Sequence, residues 1–504
     1  MRKLLVKNSF SGVVQTLVNL LLLFAVIPIF IKMLGIEIYG VFSLIIVVGN
    51  LNVFTNLGLT SSLIKFLGKQ GKNQESNYDI VIAFILIISI LFPIILAAVY
   101  FNKFIILSIL NVPLNLFAEV QEFYIFLLGA NFFLISGQIS AAVLDSGQKI
   151  VTTNLLQILY NFTYWGLVLL VLLLGYNLSQ VGMVSFLTAI LWFSLITYQA
   201  LKYWGKISLS GIAKNYTRVA KKQLGYGSKI YASGLIGFFY EPFSKILISH
   251  FIGVTEVGFF DIAIRMKNQL WRVIAKIFYP LYPLLSSLKE KEKIRLLVHD
   301  LEQKTFFFIV PIISIVIFST YSFIQLWIGQ NVEIISISVI LIVSASMIAI
   351  TVMPNYQFLM AKDQAEKTII LQFSNVFFNS LIFFATLKWL GYYAAVAGNV
   401  TAIFISFCLS LYYQKKYLNS LIFDSFEQIG KLVVLAIANI GLGYLLNLFI
   451  TLDWAKVVFI PLVLVICSLY LFRYLNFFSE EDILRYAGSN KRASELGIKL
   501  FCNK

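Results

Sequence analysis

Hydrophobic positions along this chain come in long unbroken runs, neither in the alternation of a half-buried strand nor in the narrow stripe of a soluble amphipathic helix. Runs of about twenty apolar residues, enough to cross a bilayer as a helix, recur between short polar segments. They predict fourteen spanning helices, over about residues 10–31, 39–63, 80–101, 120–144, 150–174, 180–201, 225–250, 256–282, 304–327, 334–361, 367–389, 392–414, 429–450 and 454–475. The ten-residue alternation of barrel strands is absent. The expected fold class is therefore an all-α polytopic membrane protein.

The seventh and eighth spans break the pattern. From Gly225 to Lys276 the apolar background carries Lys229, Glu241, Lys245, Asp261, Arg265, Lys267, Arg272 and Lys276. One charge near the centre of a spanning helix costs about 2.5–3.5 kcal/mol on insertion scales, so the cluster points to a polar interior. On the eighth span Asp261, Arg265, Asn268, Arg272 and Lys276 follow spacings of 4, 3, 4 and 4. At ~100° per residue that places them within an arc of about 80°. Lys267 points elsewhere, toward a neighbouring helix. The seventh span is less regular, and Gly234, Gly237 and Pro242 make it bendable.

Counting from the turn between these two spans, Lys245 matches Asp261 in depth and Glu241 matches Arg265, so two level ion pairs are available. Arg272, about sixteen residues or ~24 Å from that turn, has no carboxylate at its depth, nor do Lys276 and Lys229. The first span adds a polar face of Asn8, Gln15 and Asn19, which reads either as interhelical hydrogen bonding or as cavity lining.

The chain also repeats itself. LGIEIYGVF at 34–42 returns as IGVTEVGFF at 252–260, an offset of 218 that sets Gly35 on Gly253 and Gly40 on Gly258. At the same offset Pro93 meets Pro311, Asp145 and Lys149 meet Asp363 and Lys367, and Asn154, Gln157 and Asn161 meet Gln372, Asn375 and Asn379. After a two-residue slip, the LGY at 174–176 meets the LGY at 390–392 and Gly182 meets Gly398. The repeat predicts two parallel six-helix lobes, 1–202 and 225–416. A basic cytoplasmic linker, 203–224, joins them, and 417–504 adds the last two helices and a cytoplasmic tail. The linker's lysines and Arg218 suit a segment resting on anionic headgroups.

Composition narrows the function. Of 504 residues 60% are hydrophobic and 12% charged, which excludes a soluble domain. A net charge of +16 would suit nucleic acid, but 29 of the 39 Lys and Arg residues fall in segments that are cytoplasmic if the N-terminus is inside. That excess is the positive-inside rule, and nucleic acid drops out as a partner. Three cysteines and two histidines at no paired spacing suggest no disulfide framework or metal site. The start MRKLLVKN precedes a long apolar run without a cleavage site, so it reads as a retained first helix. Short outer loops poor in acidic residues argue against an enzyme, and no catalytic residue or cofactor is expected.

The duplicated lobes, the two extra C-terminal helices, LGIEIYG followed by NLGL at 56–59, and the charged seventh and eighth helices together resemble a Wzx-type polysaccharide flippase. That family belongs to the multidrug/oligosaccharidyl-lipid/polysaccharide exporter superfamily, and the resemblance spans about residues 10–475. It implies export of undecaprenyl-diphosphate-linked glycan across a bacterial cytoplasmic membrane by alternating access, with membrane lipids and a polysaccharide polymerase as partners. The expected substrate-binding set is Arg272, Arg265, Lys276, Lys229 and Lys245, with Asn19, Gln15 and Asn268 as cavity-lining groups. Glu241 and Asp261 are candidates for coupling to a proton or sodium gradient or for salt bridges. A multidrug exporter of organic cations would need acidic rather than basic spans; a lipid II flippase fits the same features.

Overall fold

The computed structural model describes residues 2–49, 56–208, 210–278, 281–362, 364–423 and 426–478, and at some helical positions, Lys229 and Lys276 among them, the backbone alone. Among the described residues there is no strand. By packing, the chain divides into two compact units, 1–261 and 262–504. Contact density thus groups 225–261 with the N-terminal unit, whereas the repeat begins its second copy at Gly225. Packing and duplication partition the same chain differently.

The first unit contains α1 (Arg2–Leu34), α2 (Ile36–Gly49), α3 (Leu59–Gln70), α4 (Gln74–Tyr100), α5 (Phe117–Ser146), α6 (Ile150–Leu173), α7 (Leu178–Trp204), α8 (Ile212–Phe238), α9 (Glu241–Phe251) and the start of α10 (Val254–Phe278). Polar side chains start several of these helices by taking backbone N–H groups that have no intrahelical acceptor. Asn73 accepts from Ser76 N–H at α4, and Asn177 with Gln180 forms a capping box at α7. The core between α1, α2 and α5 is aromatic: Phe30 packs on Phe42 at 4.8 Å and Phe42 on Phe123 at 5.7 Å between ring centroids.

The expected linker is only partly a linker. From Ile212 it is the beginning of α8, which runs on without a break to Phe238. Two of its basic residues bind the start of α4. Arg218 holds both oxygens of Glu75, at 2.9 and 2.6 Å, and Lys222 pairs with the buried Asp79 at 2.7 Å. Gln223 adds its amide to the Asp79 side chain and backbone carbonyl.

The second unit holds the rest of α10, then α11 (Leu281–Ser287), α12 (Lys291–Trp327), α13 (Val332–Ile350), α14 (Met353–Ala361), α15 (Ala365–Leu390), α16 (Tyr393–Leu418), α17 (Phe426–Phe449) and α18 (Asp453–Tyr474). The KEKEK run, residues 289–293, leads into the exposed first part of α12, with pairs Lys293–Glu290 at 2.8 Å and Arg295–Glu292 at 2.7 Å. Leu285, Val298, Leu359, Leu371 and Leu418 form one core. Phe307, Leu435, Phe472, Phe477 and Phe478 form another, which seats α17 and α18 against α12.

Among the described residues, eleven helices are long and apolar enough to cross a membrane. They are α1, α4 to α7, α12, α13 and α15 to α18, and they account for eleven of the fourteen expected spans, so the polytopic helical class is the one observed. The expected helix over 39–63 is two helices, α2 and α3, parted before Leu59; Asn50, Asn52 and Thr55 lie outside the described residues. The helix over 225–250 stops at Phe238 and restarts at Glu241, with Pro242 in the first turn of α9. Proline lacks the N–H that would bond back to Phe238 and its ring clashes there. The span over 334–361 is likewise α13 and then α14, with Pro354 in the first turn of α14. The eighth span, α10, is continuous, and its charge rather than its length sets it apart.

Candidate functional site

The most elaborated polar structure of the first unit grows from the two repeated turns. A left-handed Gly35 (φ 86°) turns the chain from α1 into α2, and Gly253 and Val254 open α10. The turns meet through glycine. A Cβ on Gly40 would lie 1.9 Å from the carbonyl oxygen of Val254, and one on Gly258 would lie 3.0 Å from that of Ile36. Only residues without a side chain allow this approach. It brings the next polar positions of each helix together.

Tyr39 donates its hydroxyl to Asp261 Oδ2 at 2.6 Å. From α9, Lys245 Nζ reaches Asp261 Oδ1 at 2.5 Å and donates to Ser43 Oγ at 2.9 Å. All four are enclosed: Tyr39 is 1% exposed, Ser43 0%, Asp261 1% and Lys245 9%. Ser43 and Asp261 are themselves equivalent at the offset of 218. Lys245 therefore bridges one position of the two repeats, a hydroxyl in the first and a carboxylate in the second. Both carboxylate oxygens have donors, which is the condition under which a buried ion pair offsets its desolvation.

A second close approach explains NLGL. Leu57 (φ 44°) and Gly58 (φ 71°) are left-handed, and this break ends where α3 begins. A Cβ on Gly58 would lie 2.3 Å from Gly227 O, and one on Gly227 would lie 2.3 Å from Leu57 O, so α8 crosses the break backbone to backbone. Asn56 restarts the helix: its Oδ1 accepts from Thr60 N–H at 3.2 Å while its Nδ2 donates to Gln138 Oε1 at 2.8 Å. The motif is a helix break, a restart and a tie to α5.

The expected binding residues are distributed as follows. Lys245 is a buried ion-pair partner of Asp261, so the pairing reading drawn from depth is realised for these two residues. Glu241 opens α9 and is half-buried. In the second unit Arg265 and Asn268 are half-buried, Lys267 is buried and Arg272 is exposed, its Nε donating to the Asn268 carbonyl at 3.2 Å. Gln15 and Asn19 on α1 are half-buried. Lys229 lies in α8 and Lys276 in α10, but their side chains are outside the described residues. Among the described residues, no three His, Cys, Asp or Glu side chains gather as a metal-ligand set.

Sequence reasoning missed Tyr39 and Ser43, and the binding of Arg218 and Lys222 to α4. For Ser43 a signal existed, since the repeat aligns it with Asp261. For Arg218 and Lys222 none did, because Glu75 and Asp79 lie over a hundred residues away.

The fold is that of known transporters. A structure of the lipid II flippase MurJ in an inward closed conformation matches with a TM-score of 0.73 at 15% identity, covering 93% of this chain and 99% of that one. An inward-facing multidrug resistance MATE transporter of the MOP superfamily matches at 0.58 and 14% identity, over 80% of this chain and 94% of that one. A mutant of the Vibrio cholerae MATE transporter VcmN matches at 0.56 and 14%, over 82% and 98%. No curated protein sequence matches. Residues 29–336 match the family described as polysaccharide biosynthesis protein. The chain belongs to the polysaccharide biosynthesis protein family and has the fold of the MOP-superfamily transporters.

Proposed function

We propose that this protein is a flippase for undecaprenyl-diphosphate-linked oligosaccharide repeat units of an O-antigen, capsule or similar polysaccharide. It carries them from the inner to the outer leaflet of a bacterial cytoplasmic membrane by alternating access, with both termini in the cytoplasm, and hands them to polymerase machinery. The observation that carries this reading is the order of charge along α10. Asp261 is engaged by Lys245 and Tyr39. Beyond it, from Ile262 to Phe278, the helix has Arg265, Lys267, Arg272 and Lys276 and no acidic residue.

A mainly basic helix face suits a diphosphate or an acidic glycan, which arginine recognises through paired N–H donors. A transporter of organic cations would need the opposite sign. The polysaccharide biosynthesis family and the flippase-like fold support the same reading. Lipid II itself is the second candidate, favoured by the MurJ match over nearly the whole of that chain. Complementation of cells depleted of their lipid II flippase separates the two.

The direct test is delivery of glycan to the cell surface by Arg272→Ala at unchanged protein level. Delivery falls severely if Arg272 receives the anionic group, with partial recovery in Arg272→Lys; undiminished delivery removes Arg272 from the site. Ion coupling through Glu241 and Asp261 belongs to the same proposal. Asp261 can take a proton or sodium only as its bonds to Lys245 and Tyr39 open. Full gradient-dependent transport in both Glu241→Gln and Asp261→Asn excludes it.

A further inference from the structure

The first unit holds a polar surface that the charged helices leave unused. From Ile150 to Leu173, α6 has no charged residue, and its exposed Leu155, Leu159 and Phe162 share one face, as a lipid-facing stripe does. At ~100° per residue, Gln157, Tyr160, Asn161 and Tyr164 lie on the opposite face within an arc of about 100°, and Trp165 borders it. All five are half-buried. Their rings are ordered. Tyr160 and Tyr164 stack with centroids 6.1 Å apart and planes 7° apart, and Trp165 lies 4.7 Å from Tyr164. Trp192 of α7 lies 6.1 Å from Tyr160.

Hydrogen bonding between helices accounts for only one rung of this surface. Asn154 Nδ2 donates to Ser11 Oγ of α1 at 2.8 Å. One turn further on, Gln157 Nε2 donates to Asn161 Oδ1 at 3.2 Å along the same helix. That leaves Gln157 Oε1 and Asn161 Nδ2 without a partner among the described residues, and Gln15 and Asn19 on α1 have none there either. The indole N–H of Trp192, a residue only 6% exposed, also donates to nothing described. An unpaired polar group inside a bilayer is costly, so these atoms belong against a ligand or water that hydrogen-bonds. Nor does the duplicated fold demand the ring hydroxyls. At the offset of 218 the second repeat keeps the amides, as Asn375 and Asn379, but has Phe378 for Tyr160 and Ile382 for Tyr164.

We propose that this face of α6 is a subsite for uncharged sugar rings, in which Gln157 and Asn161 bond ring hydroxyls while Tyr160, Tyr164 and Trp165 lie against the sugar's C–H surface. A primary amide offers donors and an acceptor together, which matches a hydroxyl that is itself both. Tyrosine and tryptophan add an apolar body with a polar tip, suited to a ring with one apolar surface and a hydroxylated edge. The face carries no charge, so a diphosphate gains nothing there and is left to the basic residues of α10. From Gln157 to Tyr164 it rises ~10 Å along the helix, in the middle of the span. The inference rests on the glycan-flippase reading and adds which part of the ligand this unit holds.

The test is equilibrium binding of two lipids to the purified full-length protein in detergent, read by native mass spectrometry. One is undecaprenyl diphosphate without sugar; the other is the undecaprenyl-diphosphate-linked oligosaccharide extracted from the host cells. Wild type is expected to bind the sugar-bearing lipid more tightly. Gln157→Leu combined with Asn161→Leu lowers that affinity about tenfold, as for one or two lost hydrogen bonds, and leaves binding of the bare lipid unchanged. Trp165→Leu lowers it as well, and Phe162→Leu, on the exposed face, changes neither lipid. If the double variant does not fold, Gln157→Leu alone decides by the same comparison. Equal binding of the two lipids by wild type overturns the proposal and leaves the flippase reading standing. So does a sugar preference retained in the variants, or an equal loss for both lipids, which marks a purely structural role. Binding of neither lipid by wild type removes the flippase reading, and this subsite with it.

Discussion

Gly40 and Gly258, equivalent in the sequence repeat, lie against one another's helices where the two repeated turns cross. The repeated unit thus contributes the same glycine to both sides of one contact. What each faces is backbone: Val254 O would be 1.9 Å from a Cβ at Gly40 and Ile36 O 3.0 Å from one at Gly258. Backbone inside a helix cannot swing away as a side chain can. Gly40→Ala must therefore part α2 from α10, and its expected cost is ~1–3 kcal/mol, as for overpacked cores. Gly258→Ala costs less, because its neighbour need move only slightly. Thermal melting in detergent checks both, and a Gly40→Ala protein as stable as wild type contradicts the geometry.

The ion pair just below this crossing sets the second expectation. Asp261→Asn removes the charge opposite the buried Lys245 ammonium and leaves it neutral acceptors in the cluster, and losing the charge of one member of a buried pair costs ~3–5 kcal/mol. Lys245→Met together with Asp261→Asn restores much of that loss, since no charge is then stranded. A double-mutant cycle on melting free energies measures the coupling. Strictly additive losses would mean that the two side chains act independently.

Arg218 and Lys222 offer a contrast of exposure within one cluster. The Arg218 side chain is 57% exposed, and its bidentate pair with Glu75 is screened by solvent, so Arg218→Ala leaves the melting temperature nearly unchanged. Lys222 faces Asp79, whose side chain is 0% exposed. Lys222→Met leaves that carboxylate with Gln223 alone and costs ~3 kcal/mol. Equal effects of the two substitutions would show that burial does not govern this cluster.

The break at NLGL yields a fourth expectation. Gly227→Ala directs a methyl group at the carbonyl of Leu57, 2.3 Å away, and is expected to lower stability or folded yield. Gly225, two residues earlier, has nothing within 4 Å of a Cβ, so Gly225→Ala is tolerated. Comparing the two by size-exclusion yield and melting separates the crossing from a general intolerance of α8 to alanine.

Much of this protein was legible in its sequence because membrane spans are written locally. Bilayer thickness, burial of backbone polar groups and insertion cost act on each run separately, so apolar length located the eleven spans observed. The repeat likewise marked Gly40 and Gly258. Depth counting brought Lys245 level with Asp261, because rise per residue is a property of one helix.

What the sequence could not decide depended on contacts between distant segments. That α2 and α3 are separate helices follows from two left-handed residues and from α8 crossing at Gly227. That Tyr39 adds a second donor to Asp261, that the linker's Arg218 and Lys222 bind α4, and that Glu302 meets Asn355 and Gln414 in a buried cluster are likewise tertiary facts. A single charge in an apolar run states only that it is costly there. Which partner offsets that cost is set by the packing of other helices, and the tertiary structure alone decides it.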